Sequence, residues 1–498
     1  MKYFRCAGLL AGTMSLISAS SVYGEDSKPN ILFIFADDMT YEAIGSLNNS
    51  EVKTPNLDRL VERGTSFTQA YNSGSFTAAV CVASRTMLNT GKQLWHAGAM
   101  CPKGVPNEKY FEGKRYRYDL EPEPYGKMWS EMMDEAGYET YMSGKWHLLG
   151  VDAAKVFEHT VNIRAGMPKQ TQERYRRKFV QGSVDTWSPS DSKFGGYWDG
   201  GMHWSEVLGN DVIRFLNDAA KREDPFFMYV GFNAPHDPRQ SPQKYVDMYP
   251  LDRISVPETF MEEYPYCEEI GSGKRLRDEK LGPFPRTEYA VKVNRQEYYA
   301  IISHMDEQIG RILDALEKTG QAGNTYIFFT ADHGLAVGDH GFMGKQNMYD
   351  RSMRVPLIVV GQGVKQGQQV DGFVYLQDVM ASALDLAASK YEDQVAFKSL
   401  MPLARGDEKK SGYDAIYGAY YGTQRMVRTT DYKMIIYPEA HVVRLYDLIQ
   451  DPNEMHDLAG DASYRPIMDS LFLEFKSLQK ETGDPLDVEP AYRAFFSS

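Results

Sequence analysis

Short apolar runs that are directly followed by polar residues recur along the chain. Residues 30–35 form a continuous apolar run without alternation, and Asp37 and Asp38 come immediately after it. Residues 325–330 lead in the same way to a second polar cluster that begins at Asp332. Such a run is typical of a parallel strand that is buried on both faces of its sheet. The pattern predicts further strands at residues 138–143, 225–230 and 355–360.

Segments with helical spacing of apolar residues lie between these runs. The longest, residues 294–318, has apolar side chains at three- and four-residue intervals and Gly320 beyond its end. Another helix is predicted to start at Pro55 and to stop at Gly64. Alternating strands and helices predict an α/β fold with a mostly parallel sheet, in which ligands bind beyond the carboxyl ends of the strands. The remaining helix predictions are residues 127–137 and 207–220.

The pattern changes after residue 388, where we predict a domain boundary. Residues 389–411 have the composition of a linker, and a helix is expected within residues 461–480. Between them the apolar positions predict short antiparallel strands, at residues 415–421, 425–428, 432–437 and 442–445. The chain is therefore divided into residues 25–388, the larger domain, and residues 389–498, a smaller α+β domain.

One stretch, from Cys81 to Gly91, contains a cysteine with an arginine, Arg85, four positions later. Residues 84–89 are compatible with a helix that Gly91 ends, so Cys81 lies at the helix N-terminus with Arg85 on the same face. Free backbone N–H groups at that position favour an anion. Taken alone, the pattern is more typical of a structural cysteine before a short helix.

Two groups of polar residues at predicted strand ends suggest chemistry. Asp37, Asp38, Asp332 and His333 place three carboxylates and an imidazole together, which is costly unless a cation is present. Their oxygen-rich composition favours calcium or magnesium, although each acid alone could cap a strand end. A second group can bind or protonate a tetrahedral anion, but such side chains are often solvated or structural. Its members are Lys145, His147, His236 and Lys345.

Composition and charge exclude several classes of protein. The chain has 498 residues, 42% hydrophobic and 25% charged, which is typical of a globular protein. Residues 1–24 begin with a basic segment followed by an apolar stretch, as a secretory signal peptide does, and no other stretch is long enough to span a membrane. Its removal takes Lys2 and Arg5 and no acid, so the formal charge falls from −13 to −15. Binding of nucleic acid is not expected, and an anionic substrate must be attracted locally.

The Cys81 stretch resembles the signature of the sulfatase family, Cys-x-Pro/Ala-Ser-Arg followed by Thr-Gly. The matching residues are Cys81, Ala83, Ser84, Arg85, Thr90 and Gly91, with alanine at the third position where most members have proline. The resemblance extends from about residue 28 to 459. It implies a fold like that of alkaline phosphatase, in which a large, mostly parallel mixed sheet is sandwiched by helices. In that family a maturation enzyme oxidises the cysteine to formylglycine.

The resemblance also implies roles for the clustered residues. Calcium is the usual ion, and its ligands carry over to Asp37, Asp38, Asp332, His333 and the modified Cys81 side chain, with His333 in place of the commoner asparagine. Lys145 and His147 would hold and deprotonate the formylglycine hydrate, and Arg85 would support this nucleophile. His236 and Lys345 would contact the sulfate ester and its leaving oxygen. His203, Trp204 and Arg239 are candidates for a sugar subsite, although each is equally compatible with a structural role.

The expected function is that of a periplasmic or secreted sulfatase that hydrolyses sulfate esters, on carbohydrates above all. A related alternative is a phosphonate or phosphodiester hydrolase of the same superfamily. A binding protein that kept only the fold would have lost at least one cationic or metal-binding residue, whereas all of them are present.

Overall fold

A computed structural model describes residues 28–47, 49–101, 108–111, 114–117, 123–169, 172–391 and 393–497. The predicted signal peptide, residues 1–24, lies outside the described residues. No helix within the described ranges is sufficiently long and apolar to cross a lipid bilayer.

A sheet of eight strands, here called the main sheet, forms the centre of the molecule. Leu357–Val360 is antiparallel to both neighbours, and the other pairings between described strands of this sheet are parallel. The predicted mostly parallel mixed sheet is therefore confirmed. Across the sheet the strands follow one another in the order Gln368–Tyr375, Thr65–Tyr71, Leu357–Val360, Thr325–Ala331, Asn30–Asp37, Phe226–Pro235, Glu139–Lys145 and His159–Arg164.

The central strand Asn30–Asp37 is buried at all eight positions. The Phe33 ring lies with its centroid 5.0 Å from those of Trp129 and Tyr229. Aromatic rings at this separation bury a large apolar area, so the apolar run predicted at the start of the chain is the middle of the core. Its last residue, Asp37, emerges from this core at the carboxyl edge of the sheet.

Two sets of helices cover the main sheet. One contains Glu288–Lys318, which starts six residues before the predicted start. Its first turn is stabilised because Ala290 and Val293 pack against Phe179. The Thr287 hydroxyl also accepts a hydrogen bond from the Ala290 N–H. The first set also contains Pro55–Arg63, Trp204–Ala219 and Gln243–Val246. The second contains Val80–Thr90, Leu94–Met100, Trp129–Glu135 and Asp378–Leu386. Short helices elsewhere are Ala153–Val156 and Asp350–Met353, with single 3₁₀ turns at Gln172–Arg176 and Asp278–Leu281.

The predicted C-terminal strands form a second, small sheet. Its strand order is Val442–Asp447, Tyr432–Tyr437, Gln424–Arg428, Ile416–Tyr420 and Gly74–Ser75. The first four are antiparallel, as predicted, and the fifth comes from the N-terminal part of the chain. The helix Arg465–Thr482 packs on this sheet through Phe475, whose ring stacks on Tyr417 at 5.9 Å.

The linker prediction for residues 389–411 was wrong in part, because this segment contains the helix Met401–Arg405. A second unpredicted helix, Glu489–Phe495, places Tyr492 on Phe472 with ring centroids 4.0 Å apart. Both helices are a few residues long and have too few apolar positions to show a helical period. Cys101 and Cys267 are both buried free thiols and form no disulfide with each other.

A buried ion network joins the two sheets. Lys433 on the small sheet donates to Asp350 and lies 2.6 Å from a carboxylate oxygen of Glu454. Tyr71, at the end of a main-sheet strand, donates to the other oxygen of Asp350 at 3.0 Å. Because a buried charge without a partner is strongly destabilising, this network holds the small sheet in a fixed position on the main sheet.

Gly64 ends the helix Pro55–Arg63 for a reason that the sequence did not reveal. Its φ of −136° is ordinary extended backbone, so no left-handed cap is formed. A Cβ at this position would lie 2.2 Å from the carbonyl oxygen of Val359 in the neighbouring segment. Glycine is required here because two backbone segments approach closely, which a sequence pattern cannot distinguish from a helix cap.

We expect Gly64→Ala to lower the free energy of unfolding by about 1–3 kcal/mol, as overpacking does in a closed site. Gly323→Ala is the matched control, because a Cβ at Gly323 meets no atom within 4 Å. Chemical denaturation of both variants measures the difference. Equal stability of the two variants would show that the Val359 segment moves away at no cost.

Candidate active site

The polar clusters that follow the apolar strands meet at the carboxyl edge of the main sheet. Asp37, Lys145, His236 and Asp332 end or follow neighbouring strands, and all four side chains are buried. The strand order places Asn30–Asp37 between the strands that lead to Asp332 and His236. The sequence-based expectation that these clusters lie together is therefore confirmed.

Cys81 lies in the first turn of the helix Val80–Thr90, which faces this edge. Its Sγ is 3.3 Å from Asp37 Oδ1, 3.7 Å from Asp38 Oδ1 and 3.2 Å from Lys345 Nζ. Gly91 ends the helix in the left-handed conformation with φ 67°, as predicted. Burial, with the nearby carboxylates of Asp332 and Asp37, raises the pKa of the Cys81 thiol well above its ordinary value.

Arg85, one turn after Cys81, connects the helix to two strands. Its Nε donates to Asp332 at 2.9 Å and its Nη1 donates to the Lys145 carbonyl at 2.8 Å. The guanidinium also lies 4.6 Å from the centre of the Phe35 ring. Although burial acts in the opposite direction, Arg85 and Lys145 hold the pKa of Asp332 well below its usual range. Arg85 therefore keeps Asp332 ionised and fixes the orientation of the Cys81 helix.

Two lysines balance the remaining carboxylates. Lys145 donates to Asp37, and Lys345 donates to both oxygens of Asp38. Burial, together with the charge of Asp332, raises the pKa of Asp37 to about 6. Three carboxylates and three basic side chains, with Arg85 as the third, thus share one buried volume.

Four buried side chains form a group that could hold a metal ion. Asp37, Asp38, Cys81 and His236 each offer one ligand atom, and these atoms lie within 4.8 Å of one another. Two of the four are carboxylate oxygens, the ligand type that calcium and magnesium prefer. Asp332 borders it, with Oδ1 accepting from the Asp38 N–H at 3.1 Å.

His333, the other predicted metal ligand, is buried directly after Asp332. Its Nδ1 lies 3.0 Å from the Gly334 carbonyl oxygen, which assigns the proton to Nδ1 and leaves Nε2 as an acceptor. Burial lowers the pKa of His333 to about 4, so the ring is neutral, as a metal ligand must be. The compact set contains His236, which the sequence argument had placed with the anion-binding group.

His236 is held between two carboxylates. Its Nδ1 is 2.8 Å from Asp237 Oδ1, and its Nε2 is 3.4 Å from Asp38 Oδ2. Asp237 in turn accepts a hydrogen bond from the Tyr175 hydroxyl and lies 3.6 Å from the Arg277 guanidinium. These contacts orient the ring with Nε2 directed at the carboxylate cluster.

His147 lies two residues beyond the end of the strand Glu139–Lys145. Lys145 is the last residue of its strand, and His147 has a left-handed backbone with φ 61°, so the two are not part of one extended segment. His147 nevertheless lines the same cleft as Cys81. Burial lowers its pKa well below the ordinary value, assisted by the charges of Lys145 and Arg85, so its ring is neutral and can accept a proton.

A cleft of about 570 Å³ opens onto these groups. Four of the predicted residues line it, namely Cys81, His147, His236 and Lys345. The other polar or long side chains in its wall are Met167, Arg277, Asp278 and Gln346. The sequence argument missed these four, since none belongs to a motif or follows an apolar strand.

Comparison with known proteins identifies the family to which this chain belongs. The family model described as Sulfatase matches residues 29–389, well over half of the chain. The chain belongs to the sulfatase family. A second model, N-sulphoglucosamine sulphohydrolase, C-terminal, matches residues 338–481. The protein is thus a sulfuric ester hydrolase, and the fold predicted from the resemblance is confirmed.

Named relatives of this sulfatase span nearly its whole length. A sulfatase of Formosa agariphila is 27% identical over 99% of this chain and 94% of its own. An N-acetylglucosamine-6-O-sulfatase of Bacteroides thetaiotaomicron is 24% identical over 95% of this chain and 90% of its own. The crystal structure of the phosphonate monoester hydrolase of Agrobacterium radiobacter has a TM-score of 0.69 at 21% identity, covering 91% of this chain and 96% of that one.

The three residues proposed for a sugar subsite make structural contacts in this sulfatase. His203 caps the helix Trp204–Ala219 by accepting from the Ser205 N–H at 3.1 Å, and its Nε2 is 2.8 Å from the Gln240 carbonyl oxygen. The Trp204 ring stacks under the Arg164 guanidinium at 3.6 Å. Arg239 is fully buried and donates to Asn294 at 2.9 Å. Their assignment to substrate stays a prediction that these contacts do not support.

Proposed function

We propose that this sulfatase hydrolyses sulfate esters of carbohydrates, with Cys81, once converted to formylglycine, as its nucleophilic position. The observation that carries the proposal is the position of Cys81 Sγ, within 3.7 Å of Asp37, Asp38 and Lys345 at the base of an open cleft. The carbohydrate substrate is supported by the name of the Bacteroides thetaiotaomicron relative.

Formylglycine would supply a hydrated aldehyde whose hydroxyl attacks sulfur. A maturation enzyme has to form it from Cys81, whose surrounding segment matches the family signature. Around this position, Arg85 fixes the helix through Asp332 and the Lys145 carbonyl. Neutral His147, in the wall of the cleft, is the group that can accept the proton of the attacking hydroxyl.

A divalent cation, calcium or alternatively magnesium, would polarise the sulfate oxygens. Asp37, Asp38, Asp332 and His333 would hold it, and the first two belong to the compact group of ligand atoms. Lys145 and Lys345 lie beside the same carboxylates. Their positive charges would neutralise the negative charge that develops on the sulfuryl group.

His236 is assigned as the acid that protonates the leaving oxygen. Asp237 and Tyr175 orient its ring, and it lines the cleft where the ester must enter. A sugar alkoxide is a poor leaving group, so its departure depends on this proton. Lys345, also in the cleft wall, is the second candidate for the same role.

The alternative reaction, hydrolysis of a phosphonate or phosphodiester, uses similar groups and is supported by the fold of the Agrobacterium radiobacter neighbour. Hydrolysis rates on matched sulfate and phosphate esters decide between the two. We also propose export to the periplasm or beyond the cell, because residues 1–24 combine a basic start with an apolar stretch.

The decisive experiment is a screen of defined sulfated sugars, with sulfate release as the readout, on protein produced together with a formylglycine-generating enzyme. Cys81→Ala should reduce release to background, whereas Cys101→Ala, which removes another buried free thiol, should retain activity. Mass spectrometry of the tryptic peptide ending at Arg85 should show an aldehyde in place of the thiol. Full activity with an intact thiol at Cys81 would disprove the proposed nucleophile.

Removing the cation should destabilise the protein, because the buried carboxylates lose their shielding. At a free-ion concentration 100 times the Kd, a bound ion stabilises the folded state by about 2.7 kcal/mol. We therefore expect chelation to lower the Tm and calcium to restore it. In Asp38→Asn the calcium-dependent shift should disappear. A chelated wild-type protein with unchanged Tm and activity would contradict the metal assignment.

The effect of His236→Ala should depend on the leaving group. A positioned acid contributes about 10²–10⁴-fold, so kcat/KM on a sugar sulfate should fall by roughly that factor. On an activated aryl sulfate, whose phenolate leaves without a proton, the loss should be distinctly smaller. An equal loss on both substrates would make His236 a binding or structural residue and would favour Lys345 as the acid.

A further inference from the structure

The 3₁₀ turn Gln172–Arg176 lies at the rim of the active-site cleft. It packs against a second turn, Asp278–Leu281, whose first residue lines that cleft. The Tyr175 hydroxyl donates to Asp237, the carboxylate that holds His236. This turn is therefore adjacent to the proposed reacting groups, although it contains none of the proposed catalytic residues.

A second cleft begins at the next residue of the chain. It has a volume of about 670 Å³, and we call it the outer cleft. Tyr175, whose hydroxyl contacts Asp237, directly precedes Arg176 in the chain, so this one turn contacts the active site and also lines the outer cleft. The lining residues that matter below are Arg176, Lys178, Phe179, Val180, Val184 and Tyr289.

The outer cleft has two cations that pair with no carboxylate among the described residues. Asp185, which also lines this cleft, pairs with Arg177 at 2.6 Å, and Glu297 pairs with Arg174 and Arg177 at 3.2 and 2.6 Å. In contrast, Arg176 and Lys178 are exposed, and neither forms a salt bridge with any residue that the structure describes. On a chain with a formal charge of −13, this local excess of positive charge favours an anionic ligand.

The other side chains that line the outer cleft indicate which kind of molecule bears the anionic group. Tyr289 is half-buried, Phe179 is buried, and Val180 and Val184 are 55% and 94% exposed, which is unusual for valine. An aromatic ring and aliphatic side chains contact the C–H faces of a sugar, and two cations beside them match its sulfate or carboxylate groups. A bare inorganic anion would contact the two cations but not the apolar side chains.

We propose that the outer cleft binds an anionic sugar residue next to the one that loses its sulfate, so that the substrate is an oligosaccharide or polysaccharide with more than one negative group. This inference rests on the proposed carbohydrate sulfatase function. It names a substrate class, a polyanionic glycan, and assigns Arg176 and Lys178 as the residues that distinguish it from a single sulfated sugar.

The test is binding, measured by calorimetry in the Cys81→Ala background so that no ester is hydrolysed. The ligands are sulfated isomaltohexaose, unsulfated isomaltohexaose, glucose 6-sulfate and inorganic sulfate. Arg176→Ala/Lys178→Ala should weaken binding of the sulfated hexasaccharide by about five- to tenfold, the effect of losing two exposed ion pairs. It should also reduce the salt dependence of that binding and leave the affinity for glucose 6-sulfate unaltered.

The matched control is Lys221→Ala/Arg222→Ala, which removes the same two charges just before the strand Phe226–Pro235, at the sheet edge opposite the site. An equal loss in this control would show that only net charge matters and would overturn the proposal. Unchanged affinity in Arg176→Ala/Lys178→Ala would overturn it as well. The proposal also fails if inorganic sulfate displaces the hexasaccharide from the outer cleft as effectively as it displaces glucose 6-sulfate from the active-site cleft.

These outcomes are separate from those of the functional proposal. If the mature protein releases sulfate from sugars but the double variant binds the hexasaccharide normally, only the outer-cleft assignment fails. If the double variant loses affinity as expected while the mature protein hydrolyses no sulfate ester, the binding site stands and the reaction is misassigned. Both variants change exposed side chains, so a Tm equal to that of the parent protein confirms that folding is intact.

Discussion

Three carboxylates buried at one edge of a parallel sheet are the constraint around which this molecule is built. Asp37, Asp38 and Asp332 are almost completely inaccessible to solvent, and charges in such a position must be paired. Their partners, Arg85, Lys145 and Lys345, come from a helix, a strand end and a loop that lie far apart in the chain. The requirement for charge balance therefore fixes how these elements are arranged around the group that could hold a metal ion.

The small sheet takes part in this arrangement through the segment that follows Lys345. The Gln346 carbonyl accepts from the Gln424 side chain at 2.9 Å, and Asp350, four residues later, is bound by Lys433. Gln424 and Lys433 both belong to the small sheet. The C-terminal part of the chain thus contacts the segment that carries Lys345 and holds it in place. This gives a physical reason why the two parts are buried against each other rather than joined flexibly.

Sequence patterns predicted the buried central strands of the main sheet, but they did not predict its edge strands. The strands Asn30–Asp37 and Thr325–Ala331 carry long apolar runs because they are covered on both faces. The strands Gln368–Tyr375 and His159–Arg164, which were not predicted, are the two edges of the main sheet and are only partly buried. An edge strand needs no continuous apolar run, so the signal that identified the five predicted strands is absent. The inner strand Thr65–Tyr71 was also not predicted, because polar residues interrupt its sequence.

For the site, the sequence by itself determined the identity of the groups that face the Cys81 helix, because each follows an apolar strand or belongs to a recognisable motif. It could not determine contacts between segments that have no local signature. Only the tertiary structure placed Arg277 and Asp278 in the cleft wall, brought His236 to the carboxylates and showed His203 to be a helix cap. It also showed that Arg174 and Arg177 pair with Glu297 and Asp185, whereas Arg176 and Lys178 form no salt bridge with a residue that the structure describes. Local sequence reports which side chains can carry a charge, whereas pairing depends on distances of a few ångströms between residues that only folding brings together.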